Sequence, residues 1–98
     1  MNINLSVELK DLAGNKIPDG DGFFTLGKAL GNIVAGADVG GKMKLFILGT
    51  KLFQEKTITV DNADLALIKS AVESTKVYPG SLIPGQCAQL LEEVKKNG

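Results

Sequence analysis

The sequence predicts an α+β fold, namely a mainly helical small domain with three to four helices and a small two-stranded sheet formed by residues near 2–10 and 57–60. The first observation is the alternation of apolar and polar residues from Asn2 to Lys10, which is typical of a strand with one buried face. The second is the recurrence of apolar residues at three- and four-residue steps, which is typical of helices. A chain of 98 residues can bury one modest core, so we expect residues 1–98 to form a single domain.

The first helix is predicted after an irregular segment. The segment from Asp11 to Gly22 holds three glycines, a proline and three aspartates, which is the composition of a turn followed by an exposed loop. Thr25 then provides an N-cap, and the apolar spacing predicts a helix over 26–36. Gly27 and Gly31 lie inside this helix and weaken it by about 1 kcal/mol each relative to alanine. We therefore expect a close neighbour on that side.

The middle of the chain predicts a second helix, a strand and a third helix. Residues 43–53 are densely apolar, and their spacing favours a helix, although the pair Gly49–Thr50 would also allow two short strands. Residues 57–60 are β-branched throughout and predict a strand that pairs with the first one. Asp61 is placed to cap a helix from 62 to about 75.

The last predicted element is a helix that begins at about Ile83. A proline-containing turn from Val77 to Gly80 precedes it, because the residue before a proline avoids the helical region. The apolar positions of this helix are predicted to face the core: Cys87, Leu90, Leu91 and Val94.

Composition and charge argue against several classes of function. Eleven basic and eleven acidic residues give no net charge, and aromatic residues make up only 5% of the chain, which argues against nucleic-acid binding. The chain shows no signal peptide and no apolar run long enough to cross a bilayer, so we expect no membrane partner. A single cysteine cannot form an internal disulfide, and we expect a cytoplasmic protein.

The segment from Gly36 to Lys42 is the nearest match to a ligand-binding motif. Its glycine and lysine spacing is that of a phosphate-binding loop, but Met43 stands where that loop needs a serine or threonine to hold magnesium. A predicted helix also precedes the segment, where the motif needs a strand. Nucleotide or nucleic-acid binding through this segment is therefore kept as the alternative function, and a glycine-rich helix connection is the favoured interpretation.

No combination of residues predicts catalysis, a metal or a cofactor. The aspartates of Asp19–Gly22 resemble the start of a calcium loop, but Phe23 and Phe24 occupy the next ligand positions. Cys87 has no histidine to act as its base, because the chain contains none, and it is interpreted as a buried apolar residue. We expect no enzyme, although rapid alkylation of Cys87 would indicate one.

A partner contact is predicted where apolar side chains fall in an expected loop. Tyr78, Leu82 and Ile83 are the candidate contact residues. The alternative interpretation is that Leu82 or Ile83 fastens the last helix to the core, which is a common packing device.

Several segments taken together resemble a family of small uncharacterised proteins encoded by phages and integrated prophages. They are the opening strand, Leu9–Lys16, Thr25–Asn32, the middle apolar helix, the short strand that runs into Asp61, and the terminal helix with Gln89–Glu92. The resemblance implies a non-enzymatic accessory protein, such as an assembly factor, a minor virion component or a modulator of a host protein, located in the host cytoplasm or the virion. We expect it to bind a protein partner, with the edge of the small sheet as the docking surface or as the site of homo-oligomer formation.

Overall fold

The computed structural model describes residues 2–78 and 80–97, with side chains up to Val94. The described elements follow the order β1, β2, β3, α1, α2, β4, α3, α4. The strands are β1 (Asn2–Asn4), β2 (Pro18–Asp19), β3 (Gly22–Phe23) and β4 (Thr57–Thr59), and the helices are α1 (Leu26–Ala35), α2 (Lys42–Gln54), α3 (Asn62–Glu73) and α4 (Leu82–Asn97). The predicted small α+β fold is confirmed. The choice of a helix rather than two strands for residues 43–53 is also confirmed.

The two-stranded sheet joins β1 and β4, as predicted. The strands are antiparallel, with Ile3 opposite Ile58. The prediction of one continuous strand to Lys10 was wrong, because β1 ends at Asn4, whose side-chain oxygen accepts a hydrogen bond from the Ser6 N–H at 3.0 Å. The chain beyond this turn pairs instead with the residues that lead into α1.

The prediction of an exposed loop between Asp11 and Gly22 missed a small hairpin. Strands β2 and β3 pair in antiparallel orientation across the two residues Gly20 and Asp21. Gly20 has φ of +61°, a left-handed conformation that glycine adopts at little cost. An ion pair joins the hairpin to α1, with the Lys28 Nζ atom 2.8 Å from the Asp19 Oδ2 atom.

Helix α1 is the central helix and contacts α2, α3 and α4. It begins where predicted, because the Thr25 hydroxyl accepts a hydrogen bond from the Lys28 N–H. Its buried apolar side chains join those of the other helices in a single core cluster that also contains Ile3 and Leu5 from the start of the chain. The predicted cap at Asp61 is confirmed in the same way, since its carboxylate accepts from the Asp64 N–H at 2.7 Å.

The close neighbour expected beside Gly27 and Gly31 is α2. The two helices run antiparallel, and a Cβ at Gly27 would lie 2.6 Å from the carbonyl oxygen of Leu52. A Cβ at Gly31 would lie 2.7 Å from the Cβ of Phe53, and one at Gly49 would lie 3.0 Å from the Gly31 oxygen. Real Cβ atoms essentially never approach as closely as at Gly27 and Gly31, and the contact at Gly49 would be unusually tight, so the spacing of α1 and α2 depends on these three glycines.

The side chain of Gln86 links helix α4 to the backbone of Lys10, in addition to the core packing of Cys87 and Leu91. The Gln86 oxygen accepts from the Lys10 N–H at 2.9 Å, and the Gln86 amide donates to the Lys10 carbonyl at 2.7 Å and to the Leu82 carbonyl at 2.9 Å. Gln86 thus pairs with a backbone segment as a neighbouring strand would.

We expect Gly31→Ala to lower the free energy of unfolding by about 1 to 2 kcal/mol, because the new methyl group forces α1 and α2 apart. The matched control is Gly85→Ala in α4, where the new Cβ would meet only Ser81 at 3.9 Å. That variant should gain up to about 1 kcal/mol from helix propensity. Urea denaturation of both variants measures the difference, and a stabilised Gly31→Ala would contradict the close-packing account.

We expect Gln86→Ala to lower the free energy of unfolding by about 1 to 2 kcal/mol, because three hydrogen bonds are lost. Gln89→Ala is the control, since Gln89 is exposed on the same helix and should change stability by less than about 0.5 kcal/mol. Thermal denaturation of the pair tests this. Equal stabilities would show that the Gln86 contacts contribute nothing.

Candidate functional site

Helix α2 carries apolar side chains on two opposite faces. Toward the core it buries Leu45, Leu48, Gly49 and Leu52. A second set of apolar side chains, at the same three- and four-residue spacing, points to solvent. We call it the outer α2 face, and it consists of Met43, Phe46, Ile47 and Phe53, with the half-buried hydroxyl residue Thr50 among them. This second set explains why the whole segment is apolar in the sequence.

The side chains of the outer α2 face are unusually exposed for large apolar residues. Met43 and Phe46 are 77% and 67% exposed, and Ile47 and Phe53 are each 47% exposed. Single exposed apolar residues, such as Leu12 in the first turn, are common in soluble proteins. Four large apolar side chains on adjacent turns of one helix form a continuous patch, and such patches mark interaction sites.

A groove runs along each side of the outer α2 face. The first, of about 500 Å³, lies between α2 and the start of α3 and is lined by Met43, Lys44, Ile47, Leu48, Lys51 and Asp64. The second, of about 230 Å³, lies between α1 and α2, with Phe46 and Phe53 on one wall and Gly31 and Ala35 on the other. The exposed side chains therefore form a ridge with a depression on either side.

Positive charge flanks this ridge. Helix α2 contains three lysines and no acidic residue. On the helical circumference Lys44 and Lys51 lie beside Ile47. Lys42, at the N-terminal end of the helix, lies on the opposite flank, which it shares with Phe53 at the C-terminal end. Lys44 forms an exposed ion pair with Asp64 at 3.1 Å. Among the side chains that the structure describes, no carboxylate pairs with Lys42 or Lys51.

The segment from Gly36 to Lys42 connects two helices. Gly36 is the C-cap of α1, and Gly41 is the N-cap of α2 without a side-chain hydrogen bond. The element directly before the segment is helix α1, whereas a phosphate-binding loop directly follows a strand. The alternative of nucleotide binding gains no support from this geometry.

The predicted contact residues occupy structural positions around α4. The rings of Tyr78 and Phe24 form an edge-to-face pair with centroids 5.6 Å apart, and the Tyr78 hydroxyl accepts a hydrogen bond from the Asn32 amide at 2.8 Å. Burial raises the pKa of Tyr78. Ile83 packs against the core, and Leu82, in the first turn of α4, is 38% exposed. Pro79, in the predicted turn, lies outside the described residues, and the partner contact of these side chains stays a prediction.

The remaining sequence candidates carry no site in the described part of the chain. Asp19 is occupied by its ion pair with Lys28, and residues 2–78 and 80–97 contain no cluster of ligands that could hold a metal ion. Cys87 is fully buried, and burial raises the pKa of its thiol from 9.0 to about 12. In the same residues no buried side-chain polar atom lacks a hydrogen-bond partner.

We expect the Cys87 thiol to react with iodoacetamide at pH 8 at least about a hundredfold more slowly in the native protein than in urea, because only unfolding exposes it. The raised folded pKa has a second consequence. The thiol stabilises the fold fully below pH 9, and this contribution is lost as the pH rises toward 12. Rapid stoichiometric labelling of the native protein would contradict both the burial and the non-enzymatic interpretation.

The outer α2 face was missed by the sequence prediction, which recognised residues 43–53 as densely apolar and helical but did not divide them into an inner and an outer face. The available signal was the number of apolar residues, which is larger than one buried helix face can hold. None of the helices in the described residues has the length and apolar character needed to cross a membrane. Comparisons with protein-family models, curated proteins and solved structures find no match.

Proposed function

We propose that this chain is a non-enzymatic protein-interaction module that docks on a partner protein through the outer α2 face. The exposure of Met43, Phe46, Ile47 and Phe53 on one side of one helix is the observation that carries the proposal. Burying such side chains contributes roughly 1.5 to 3 kcal/mol each, so a partner that covers them gains a large part of its binding energy there.

The packing of α2 against the core and against α1 supports this role. Its inner side chains are in the core, and the glycine contacts with α1 fix its backbone, so the outer α2 face is already ordered before binding. A surface that needs no reorganisation loses little conformational entropy when it binds. Phe46 and Phe53 on the ridge are residue types that commonly anchor interfaces.

The sheet edge is a weaker candidate for docking. Strands β1 and β4 have three residues each, and short edge strands are a device that limits pairing with other chains. A partner strand added there would gain few backbone hydrogen bonds. Docking and homo-oligomer formation through this edge stay predictions, and the outer α2 face is preferred.

The resemblance to phage-encoded proteins adds a setting to the proposal. In that setting the chain is an accessory protein of a phage or prophage, acting as an assembly factor, a minor virion component or a modulator of a host protein, in the host cytoplasm or the virion. A small rigid domain with a preformed docking surface suits each of these roles.

We expect a photo-reactive benzoyl-phenylalanine at position 46 to give a discrete cross-linked protein in the cells that naturally produce this chain. The control is the same replacement at Phe23, an exposed aromatic side chain on the β2–β3 hairpin, which should give none. Adding Ile47→Asp to the position-46 variant should abolish the product, because a carboxylate in the apolar patch opposes burial. Absence of the product at position 46, or its persistence with Ile47→Asp, would refute docking through this face.

A further inference from the structure

The shape of the outer α2 face indicates a helix as its occupant. The ridge of α2 is about 20 Å long, since each of its 13 residues adds about 1.5 Å. A partner helix lying beside such a ridge places side chains from successive turns into the grooves on its flanks. A flat lipid surface would contact Met43 and Phe46 on the ridge but would leave the 500 Å³ groove unfilled.

The charges around the outer α2 face indicate that the occupant carries negative charge. The protein as a whole has no net charge, yet α2 presents three lysines and no carboxylate of its own. Lys44 and Lys51 line the first groove together with apolar side chains, and the carboxylate of Asp64 is already paired with Lys44. A partner that fills this groove therefore gains most if acidic side chains flank its apolar stripe.

The same charges oppose a second copy of this chain. In a two-fold symmetric pair the outer α2 face of one protomer would lie on that of its partner. Lysines would then face lysines across the interface, because α2 supplies no acidic residue and Asp64, the carboxylate that lines the first groove, is already paired with Lys44. Like charges brought together at an interface are unfavourable, so self-pairing through this face is disfavoured.

We infer that the outer α2 face binds an amphipathic helix of a partner protein whose apolar stripe is flanked by aspartate or glutamate. This inference rests on the docking role proposed above. The apolar side chains of that helix occupy the groove formed by Met43, Ile47 and Leu48, and its acidic residues approach Lys51 on that flank and Lys42 on the other.

The test uses designed peptides of about 20 residues that share one apolar heptad pattern. One peptide carries glutamate at the flanking positions, one carries lysine there, and one has the glutamate composition in scrambled order. Fluorescence anisotropy gives their affinities, and amide chemical shifts of the isotope-labelled protein give the contact surface. We expect the glutamate peptide to bind at least about tenfold more tightly than the other two and to shift the amide signals of Met43, Ile47 and Lys51. Its affinity should fall as the salt concentration rises.

Charge reversal in the protein provides the matched control. Lys51→Glu should weaken binding of the glutamate peptide about tenfold and strengthen binding of the lysine peptide. Lys76→Glu changes the net charge equally on an exposed residue outside α2 and should leave both affinities unchanged. Lys51→Gln, which should weaken the glutamate peptide by a smaller factor, serves as the second variant if Lys51→Glu unfolds the protein.

Four outcomes would overturn the inference. The first is equal affinity for the glutamate and lysine peptides, and the second is a set of amide shifts confined to another surface. The third is binding to phosphatidylglycerol vesicles, abolished by Ile47→Asp, when no peptide binds. The fourth is a concentration-dependent dimer that Ile47→Asp dissociates. If cross-linking at position 46 succeeds while the peptides fail, the acidic helix is refuted and docking through α2 stands. If both fail, the proposed function is refuted as well.

Discussion

The packing of α1 against α2 at three glycines is the constraint on which the rest of the structure depends. A Cβ atom at Gly27 or Gly31 would collide with the facing helix, and one at Gly49 would make an unusually tight contact with it. The intrinsic cost of glycine in a helix is offset by the contacts that this approach allows between the two backbones and their neighbours. Because α1 also contacts α3 and α4, its distance from α2 sets the geometry of the whole core.

This constraint also determines what α2 presents to solvent. With its inner side pressed on α1, the helix cannot turn its second apolar face inward, and Phe46 and Phe53 remain outside. The apolar content of α2 therefore exceeds what the core of this domain can absorb. Lysines on both flanks keep the exposed ridge hydrated in the free protein and give it a charge preference for its partner.

The sequence predicted the parts of this fold that local chemistry decides. Thr25 and Asp61 indicated the starts of two helices because their side chains can accept capping hydrogen bonds, and the glycines of α1 indicated a closely packed neighbour. It did not predict where β1 ends, because that depends on the competition between the Asn4 side chain and the partner strand. It also could not tell which apolar residues of α2 face the core, since both faces show the same helical spacing and only tertiary packing distinguishes them.

The link between Gln86 and Lys10 spans 76 positions of the chain, and it bears on how the protein acquires its structure during synthesis. The α1–α2 pair joins neighbouring segments and can assemble as soon as both have left the ribosome. Strand β1 can pair only after β4 has been synthesised, and the Lys10 backbone gains its hydrogen bonds only after Gln86 has been synthesised. The backbone of residues 2–10 is thus among the last parts of this domain to gain its partners.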